Sequence, residues 1–154
     1  MTLACSKEVP SDPACRVDEQ QSLAPAEAVC LIKLNGKLIA VKNNNMEKWD
    51  LPKDKQQGNL SAQCTAHQAA WKATGLNVEI GQLLWVDEGN THYFTCLASS
   101  QFSSTQQDFP VPPWANHKIE KIGLLDPFAT RDEDWEPRLD VIKLREAFTQ
   151  IESY

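Results

Sequence analysis

The sequence of 154 residues lacks long apolar runs and any surplus of positive charge. No stretch approaches the roughly 20 apolar residues that a membrane-spanning helix needs, so no transmembrane segment is expected. The first residues, MTLAC, lack the apolar segment of a cleaved secretion signal, so no signal peptide is expected there. Asp and Glu number 21 against 15 Lys and Arg, which gives a net charge of -6. An acidic surface repels a phosphate backbone, which argues against a nucleic-acid polymer as partner.

The five cysteines show no C-x-x-C spacing, which argues against a zinc site. Cys30, Cys64 and Cys96 lie in apolar contexts and are predicted to be buried free thiols. Cys5 and Cys15 lie in a polar, Pro-containing leader and could pair with each other in an oxidising compartment. The tetrapeptide TLAC that ends at Cys5 also resembles the tail of a lipoprotein signal. Both features point to an extracytoplasmic location, with the cytoplasm as the alternative.

Two regions are expected from composition. Residues 1–24 have no hydrophobic periodicity and several Pro, Ser, Asp and Glu, which predicts an extended or poorly ordered leader. Residues 25–154 are enough for a single domain with one core.

Within that domain, the segments AVCLIKL and KLIAVKN flank Asn35-Gly36, which predicts a β-hairpin because Asn-Gly tolerates the positive φ of a tight turn. A helix is predicted over residues 60–74, with Leu60, Cys64, His67 and Trp71 on one stripe and a stop at the following glycine. Further strands are predicted within residues 76–89, 91–99 and 117–126, and a final amphipathic helix over 137–151. This order indicates an α/β fold, with a mixed sheet covered by helices.

Three segments carry a resemblance to a known family: KWDLP, AQCTAH and TGLNV. They resemble the Nudix hydrolases, and the likeness extends roughly from residue 28 to the C-terminus. The resemblance implies an α/β/α sandwich with a mixed β-sheet and helices on both faces. It also implies magnesium-dependent cleavage of a diphosphate linkage, carried by a box of the form Gly-x5-Glu-x7-Arg-Glu-U-x-Glu-Glu-x-Gly-U, where U is a bulky aliphatic residue.

The box itself departs from this pattern. When the box is anchored on Gly75-Leu76, its first glycine falls on Asp54 and its first glutamate on Leu60. The Arg-Glu pair falls on Gln68 and Ala69, and the Glu-Glu pair on Lys72 and Ala73. Alanine cannot ligate a metal ion, and an ammonium group at ~4 Å from a cation is repelled by about 4 kcal/mol per unit charge at an effective dielectric near 20. No catalytic residue is therefore assigned, and no metal cofactor is expected.

Other acids could replace the box if the protein is an enzyme. Asp54 and Glu120 are the spare catalytic candidates, and Asp50, Asp54, Glu88 and Glu120 are the candidate ligands for magnesium or manganese. The alternative is that they are ordinary solvated carboxylates.

Lysines near the lost acids could instead hold a ligand. Lys53, Lys55 and Lys72 would supply positive charge for a phosphate, and Trp114 a flat contact surface. The alternative is a solvated lysine face.

The sequence therefore predicts a catalytically degenerate Nudix-fold protein, a pseudoenzyme that binds a small phosphorylated or nucleotide-like ligand or a protein partner. One alternative is a divergent metal-dependent hydrolase that cleaves a diphosphate linkage with acids outside the box. Another is an accessory domain of a membrane-associated phosphatase system, because AQCTAH resembles Nudix domains that accompany such phosphatases.

Overall fold

A mixed β-sheet with one helix packed against each face forms the frame of the computed structural model. The structure describes residues 11–18, 21–98 and 109–151. Within them, seven strands form the sheet: β1 Ala28–Leu34, β2 Lys37–Asn43, β3 Trp49–Asp50, β4 Lys53–Asp54, β5 Glu79–Val86, β6 His92–Leu97 and β7 Ile119–Leu125. Their main order is β3-β2-β1-β6-β5, with β4 paired to β1 and β7 paired to β2. β1 and β6 run parallel, and the other neighbours run antiparallel.

Alternating side chains of the central strand β1 supply the two cores. Cys30 and Ile32 belong to the core under helix α1, whereas Val29 and Leu31 belong to the core under helix α2. This period of two is what a strand buried on both faces requires. The structure therefore confirms the predicted α/β sandwich with helices on both faces.

The predicted hairpin joins β1 to β2. Asn35 and Gly36 both have positive φ, 52° and 72°, as a two-residue turn of the favoured type requires.

Helix α1 spans Ala62–Thr74 and begins two residues later than the sequence predicts. The Ser61 side chain accepts a hydrogen bond from the Cys64 amide at 3.2 Å and so caps the helix start. Gly75, with φ of 73°, ends it as predicted and donates its N–H to the carbonyl of Trp71.

The predicted stripe of large residues on α1 is not its main buried face. Leu60 precedes the helix, Cys64 and Trp71 are half-buried, and only His67 of that stripe is fully buried. Most of the buried face consists of small residues that let α1 approach the sheet closely, namely Ala62, Ala66, Ala69, Ala70 and Ala73. Helical spacing read from large side chains alone misses such a face.

Helix α2 spans Val141–Gln150, and its first turn is capped by Asp140, whose side chain accepts from the Lys143 amide at 3.1 Å. The sequence prediction starts this helix earlier, before the capping residue. Among the residues that the structure describes, none of the helices is both long and apolar enough to cross a bilayer.

The described part of the leader is attached to β5 and to helix α1 by backbone and side-chain hydrogen bonds. Val17 forms a parallel bridge to Ile80 on β5, and the Ile80 amide donates to the carbonyl of Arg16 at 2.8 Å. Further along, the buried side chain of Gln63 on α1 makes two hydrogen bonds to the leader. Its Oε1 accepts from the backbone N–H of Leu23 at 2.9 Å, and its Nε2 donates to the backbone carbonyl of Gln21 at 2.7 Å.

Two disulfides correct the prediction for the cysteines. Cys15 is bonded to Cys64 and Cys30 to Cys96, with Cα–Cα distances of 5.5 and 5.7 Å. The predicted free thiols at Cys30, Cys64 and Cys96 are therefore wrong, and Cys15 is not available to Cys5, which lies outside the described residues. Cys30 and Cys96 meet diagonally across β1 and β6, where Cys30 is opposite Phe94 and Cys96 is opposite Ile32, and both side chains belong to the α1 core. Their separation of 66 residues hides this contact from local sequence reading.

Candidate ligand-binding site

A cavity of about 400 Å³ opens beside the C-terminal half of α1. It lies between that helix, the chain from β3 to β4, and the segment that leads into β7. Its lining combines an apolar wall with lysine, aspartate, asparagine and histidine side chains: Val41, Asn43, Asp50, Leu51, Pro52, Lys53, Asp54, Ala69, Lys72, Ala73, Trp114, Ala115, His117, Lys118 and Ile119.

The two aspartates of the cavity are both ion-paired to lysines. Lys53 Nζ lies 2.9 Å from Asp50 Oδ2, and Lys72 Nζ lies 3.1 Å from Asp54 Oδ2. Lys72 stands in the last turn of α1, where the negative end of the helix dipole stabilises a cation.

The two aspartates differ in burial. The Asp50 side chain is only 8% exposed, and its Oδ1 accepts the Leu51 amide at 2.8 Å. The Asp54 side chain is 23% exposed, and its Oδ1 accepts the Lys55 amide at 3.0 Å and the Gln57 side chain at 3.4 Å. Asp54 therefore keeps hydrogen-bond partners that do not depend on Lys72.

The donor set of this cavity does not fit a divalent cation. The resemblance implies that residues 69, 72 and 73 would carry the magnesium-binding acids, but Ala69 and Ala73 present methyl groups and Lys72 an ammonium group. Within residues 11–18, 21–98 and 109–151, no group of three or more His, Cys, Asp or Glu side chains converges as metal ligands. Hard divalent cations prefer several carboxylate and carbonyl oxygens, and here each carboxylate already holds a lysine.

The structure brings some of the predicted site residues together and leaves others apart. Lys53, Lys72 and Trp114 line the cavity with Asp50 and Asp54. The remaining candidates do not line it: Lys55, Leu60, Gln68, Glu88 and Glu120. Glu88 is exposed in the turn between β5 and β6, and Glu120 is exposed on β7.

Three polar residues of the lining were not predicted, namely Asn43, His117 and Lys118. Two hydrogen bonds from Asn44 hold the segment before β7 against the end of β2. The backbone N–H of Asn44 donates to the Lys118 carbonyl at 2.7 Å, and its side-chain Nδ2 donates to the Asn116 carbonyl at 3.2 Å. This segment lies about 40 residues beyond the end of α1, so no local pattern links it to the helix.

Trp114 forms part of the cavity wall. Its ring stacks on that of Trp71, with centroids 5.4 Å apart, and its indole N–H is buried without a hydrogen-bond partner among the described residues. A Cβ on Gly75 would make only ordinary van der Waals contact with the Trp114 ring, at 3.5 Å, so the positive φ and not the ring favours glycine there.

A shifted pKa occurs elsewhere, on the opposite side of the sheet. Burial, with Asp87 as the nearest charge, raises the pKa of Tyr93 well above its usual value. The Tyr93 hydroxyl donates to Asp87 Oδ2 at 3.2 Å and its ring stacks on Trp85, which is a structural arrangement in the α2 core.

The fold is that of the Nudix hydrolases. The chain superposes on a UDP-X diphosphatase with a TM-score of 0.60 and 14% identity, covering 86% of this chain and 66% of that one. A Nudix hydrolase from Nitrosomonas europaea gives a TM-score of 0.61 and 15% identity, over 85% and 73% of the two chains. A MutT Nudix hydrolase from Burkholderia pseudomallei gives 0.56 and 17%, over 91% and 100%.

At these identities the likeness shows the fold alone, and it confirms the predicted Nudix-type architecture. No family model matches the sequence, and no curated protein matches it either.

Proposed function

We propose that this Nudix-fold protein binds a small phosphorylated or nucleotide-like ligand in the lysine-lined cavity and does not hydrolyse it with a divalent metal. One observation carries the proposal: each acid in the cavity lining is ion-paired to a lysine, at 2.9 Å for Asp50 and 3.1 Å for Asp54. Lysine then takes the place of the metal as counter-charge for an anion.

The charge of the lining supports an anionic ligand. Lys53, Lys72 and Lys118 supply three positive charges against the two negative charges of Asp50 and Asp54, a balance of +1 in a chain whose net charge is -6. Positive charge concentrated in a cleft raises the local concentration of anions even on an acidic protein.

The size and walls of the cavity suit a small organic phosphate. A volume of about 400 Å³ lies within the range of roughly 300–1,000 Å³ that is common for small-molecule sites. Leu51, Trp114 and Ile119 offer apolar surface for the part of the ligand that carries no charge.

A divergent hydrolase is the competing function, because Asp50 and Asp54 do lie in the lining and the neighbouring folds belong to hydrolases. In that case a metal ion would have to displace both lysines. The binding function keeps both lysines in the cavity, because there they attract the anionic ligand.

We also propose that the protein works in an oxidising compartment outside the cytoplasm. The support is the pair of disulfides, since such bonds persist in oxidising compartments and are rare in the cytosol.

The test is a product-release assay on nucleoside diphosphate derivatives and triphosphates, with magnesium or manganese and with chelator. We expect no chelator-sensitive turnover, together with a rise in melting temperature for at least one compound in chelator, because a ligand that binds only the folded state stabilises it. Chelator-sensitive turnover that is lost in Asp54→Asn would contradict the proposal and favour the hydrolase.

A further inference from the structure

We infer that Asp54 competes with the anionic ligand for Lys72, and that the ligand's phosphoryl group binds by replacing Asp54 as the partner of Lys72. This inference rests on the proposed function and adds two roles to it: Lys72 exchanges its partner, and Asp54 opposes binding of the ligand. It also predicts that removal of an acid from the cavity strengthens binding, the opposite of what a metal site requires.

The Lys72–Asp54 pair has the properties of an exchangeable contact. Its atoms are 3.1 Å apart, and the side chains are 44% and 23% exposed, so an incoming anion can reach the ammonium group. When Lys72 leaves, Asp54 still accepts hydrogen bonds from the Lys55 amide and from Gln57. A solvent-accessible ion pair is weak, so its loss costs little.

The Lys53–Asp50 pair has the opposite properties. The Asp50 side chain is 8% exposed, and removal of its partner would leave a buried carboxylate without a counter-charge. That cost is high, so Lys53 stays with Asp50 and contributes only its long-range field. Of the two paired lysines, Lys72 is therefore the one that binds the ligand directly.

Lys118 provides a second ammonium group. It lines the same cavity from the segment before β7, is exposed, and has no ion-pair partner among the described residues. Lys72 and Lys118 can therefore donate hydrogen bonds to separate oxygens of one phosphoryl or diphosphoryl group, and such charge-assisted bonds are stronger than neutral ones.

The experiment is a calorimetric titration of inorganic pyrophosphate into the full chain, in chelator and at fixed ionic strength. Asp54→Asn keeps an oxygen for the Lys55 amide but removes the charge that holds Lys72. We expect its affinity for pyrophosphate to rise roughly twofold to tenfold over the original chain, because one competing charge is gone. Lys72→Gln should lower affinity by a similar factor, and should abolish the gain when combined with Asp54→Asn.

Glu146→Gln is the matched control. It also removes one carboxylate from a lysine–carboxylate pair, Lys143–Glu146 at 3.7 Å, but on α2, away from the cavity. The affinity of this variant for pyrophosphate should equal that of the original chain. A gain equal to that of Asp54→Asn would show that the change in net charge alone explains the effect, and would overturn the inference.

The remaining outcomes separate the two proposals. If pyrophosphate binds the original chain but Asp54→Asn binds it no better, the inference is wrong and the proposed function stands. If neither chain binds pyrophosphate, and no compound of the larger panel raises the melting temperature, both are wrong. Melting temperatures of all variants show whether each one is folded.

Discussion

At the scale of single residues, three positions on α1 determine what the cavity can do. Ala69 and Ala73 form part of its wall, and Lys72 places an ammonium group between them, where the family resemblance implies carboxylates. Side chains three and four apart share one side of a helix, so glutamates at these positions would form one cluster. The chemistry of this cavity wall therefore depends on a few side chains of α1.

Restoration of the acids tests this reading of the helix. The combined variant Leu60→Glu, Gln68→Arg, Ala69→Glu, Lys72→Glu and Ala73→Glu should bind manganese or magnesium, because the carboxylates at 69, 72 and 73 would form one cluster on the cavity side of α1. Loss of the free-manganese signal in electron paramagnetic resonance would report binding. A matched variant that carries the same changes except Lys72→Glu should bind more weakly, since Lys72 repels the cation. A folded full variant that binds no metal would show that α1 is not the equivalent of the box helix.

At the scale of elements, the leader is fastened to the domain by both backbone and side-chain bonds. Arg16 and Asp18 pair with Ile80 at the edge of β5, and Cys15 is bonded to Cys64 in the first turn of α1. The covalent link spans 49 residues and ties the leader to the helix that lines the cavity. It lies near the N-terminal end of α1, while the cavity lies at the other end.

This link should contribute to stability. Cys15→Ser should lower the free energy of unfolding by roughly 2–4 kcal/mol, because the unfolded chain regains the entropy of a long closed loop. Chemical denaturation under non-reducing conditions measures the change, with Ala14→Ser as a neighbouring control that introduces the same residue without removing the bond.

Peptide mapping provides an independent check on the pairing. Non-reduced digests should contain the Cys15–Cys64 and Cys30–Cys96 peptides. A Cys5–Cys15 peptide in their place, or an unchanged stability in Cys15→Ser, would contradict the pairing in the structure.

At the scale of the whole molecule, a Nudix-type fold carries a positively lined cavity in an acidic chain. Fold and chemistry are separable in this way because the sheet and its two cores depend on apolar residues, whereas the cavity depends on charged residues on its surface. The function of neighbouring folds therefore does not pass to this chain without tests of its own residues.

Some of this organisation could be predicted from the sequence and some could not. Asn35-Gly36 and Gly75 encode their turns locally, because both require positive φ, and the strand pattern around them predicted the sheet. The Cys30–Cys96 bond and the place of Lys118 depend on contacts between segments far apart in the chain, which no local pattern contains. Lys53, Lys72 and Trp114 could be predicted as one cluster only through the family resemblance.

The most direct test of the central claim compares pyrophosphate binding by the unmodified chain in chelator and in excess magnesium. If lysines hold the anion, affinity in chelator should equal or exceed that in magnesium, because magnesium competes with the lysines for the phosphoryl oxygens. Binding that requires magnesium, and disappears in chelator, would contradict the account and show that a metal ion carries the site.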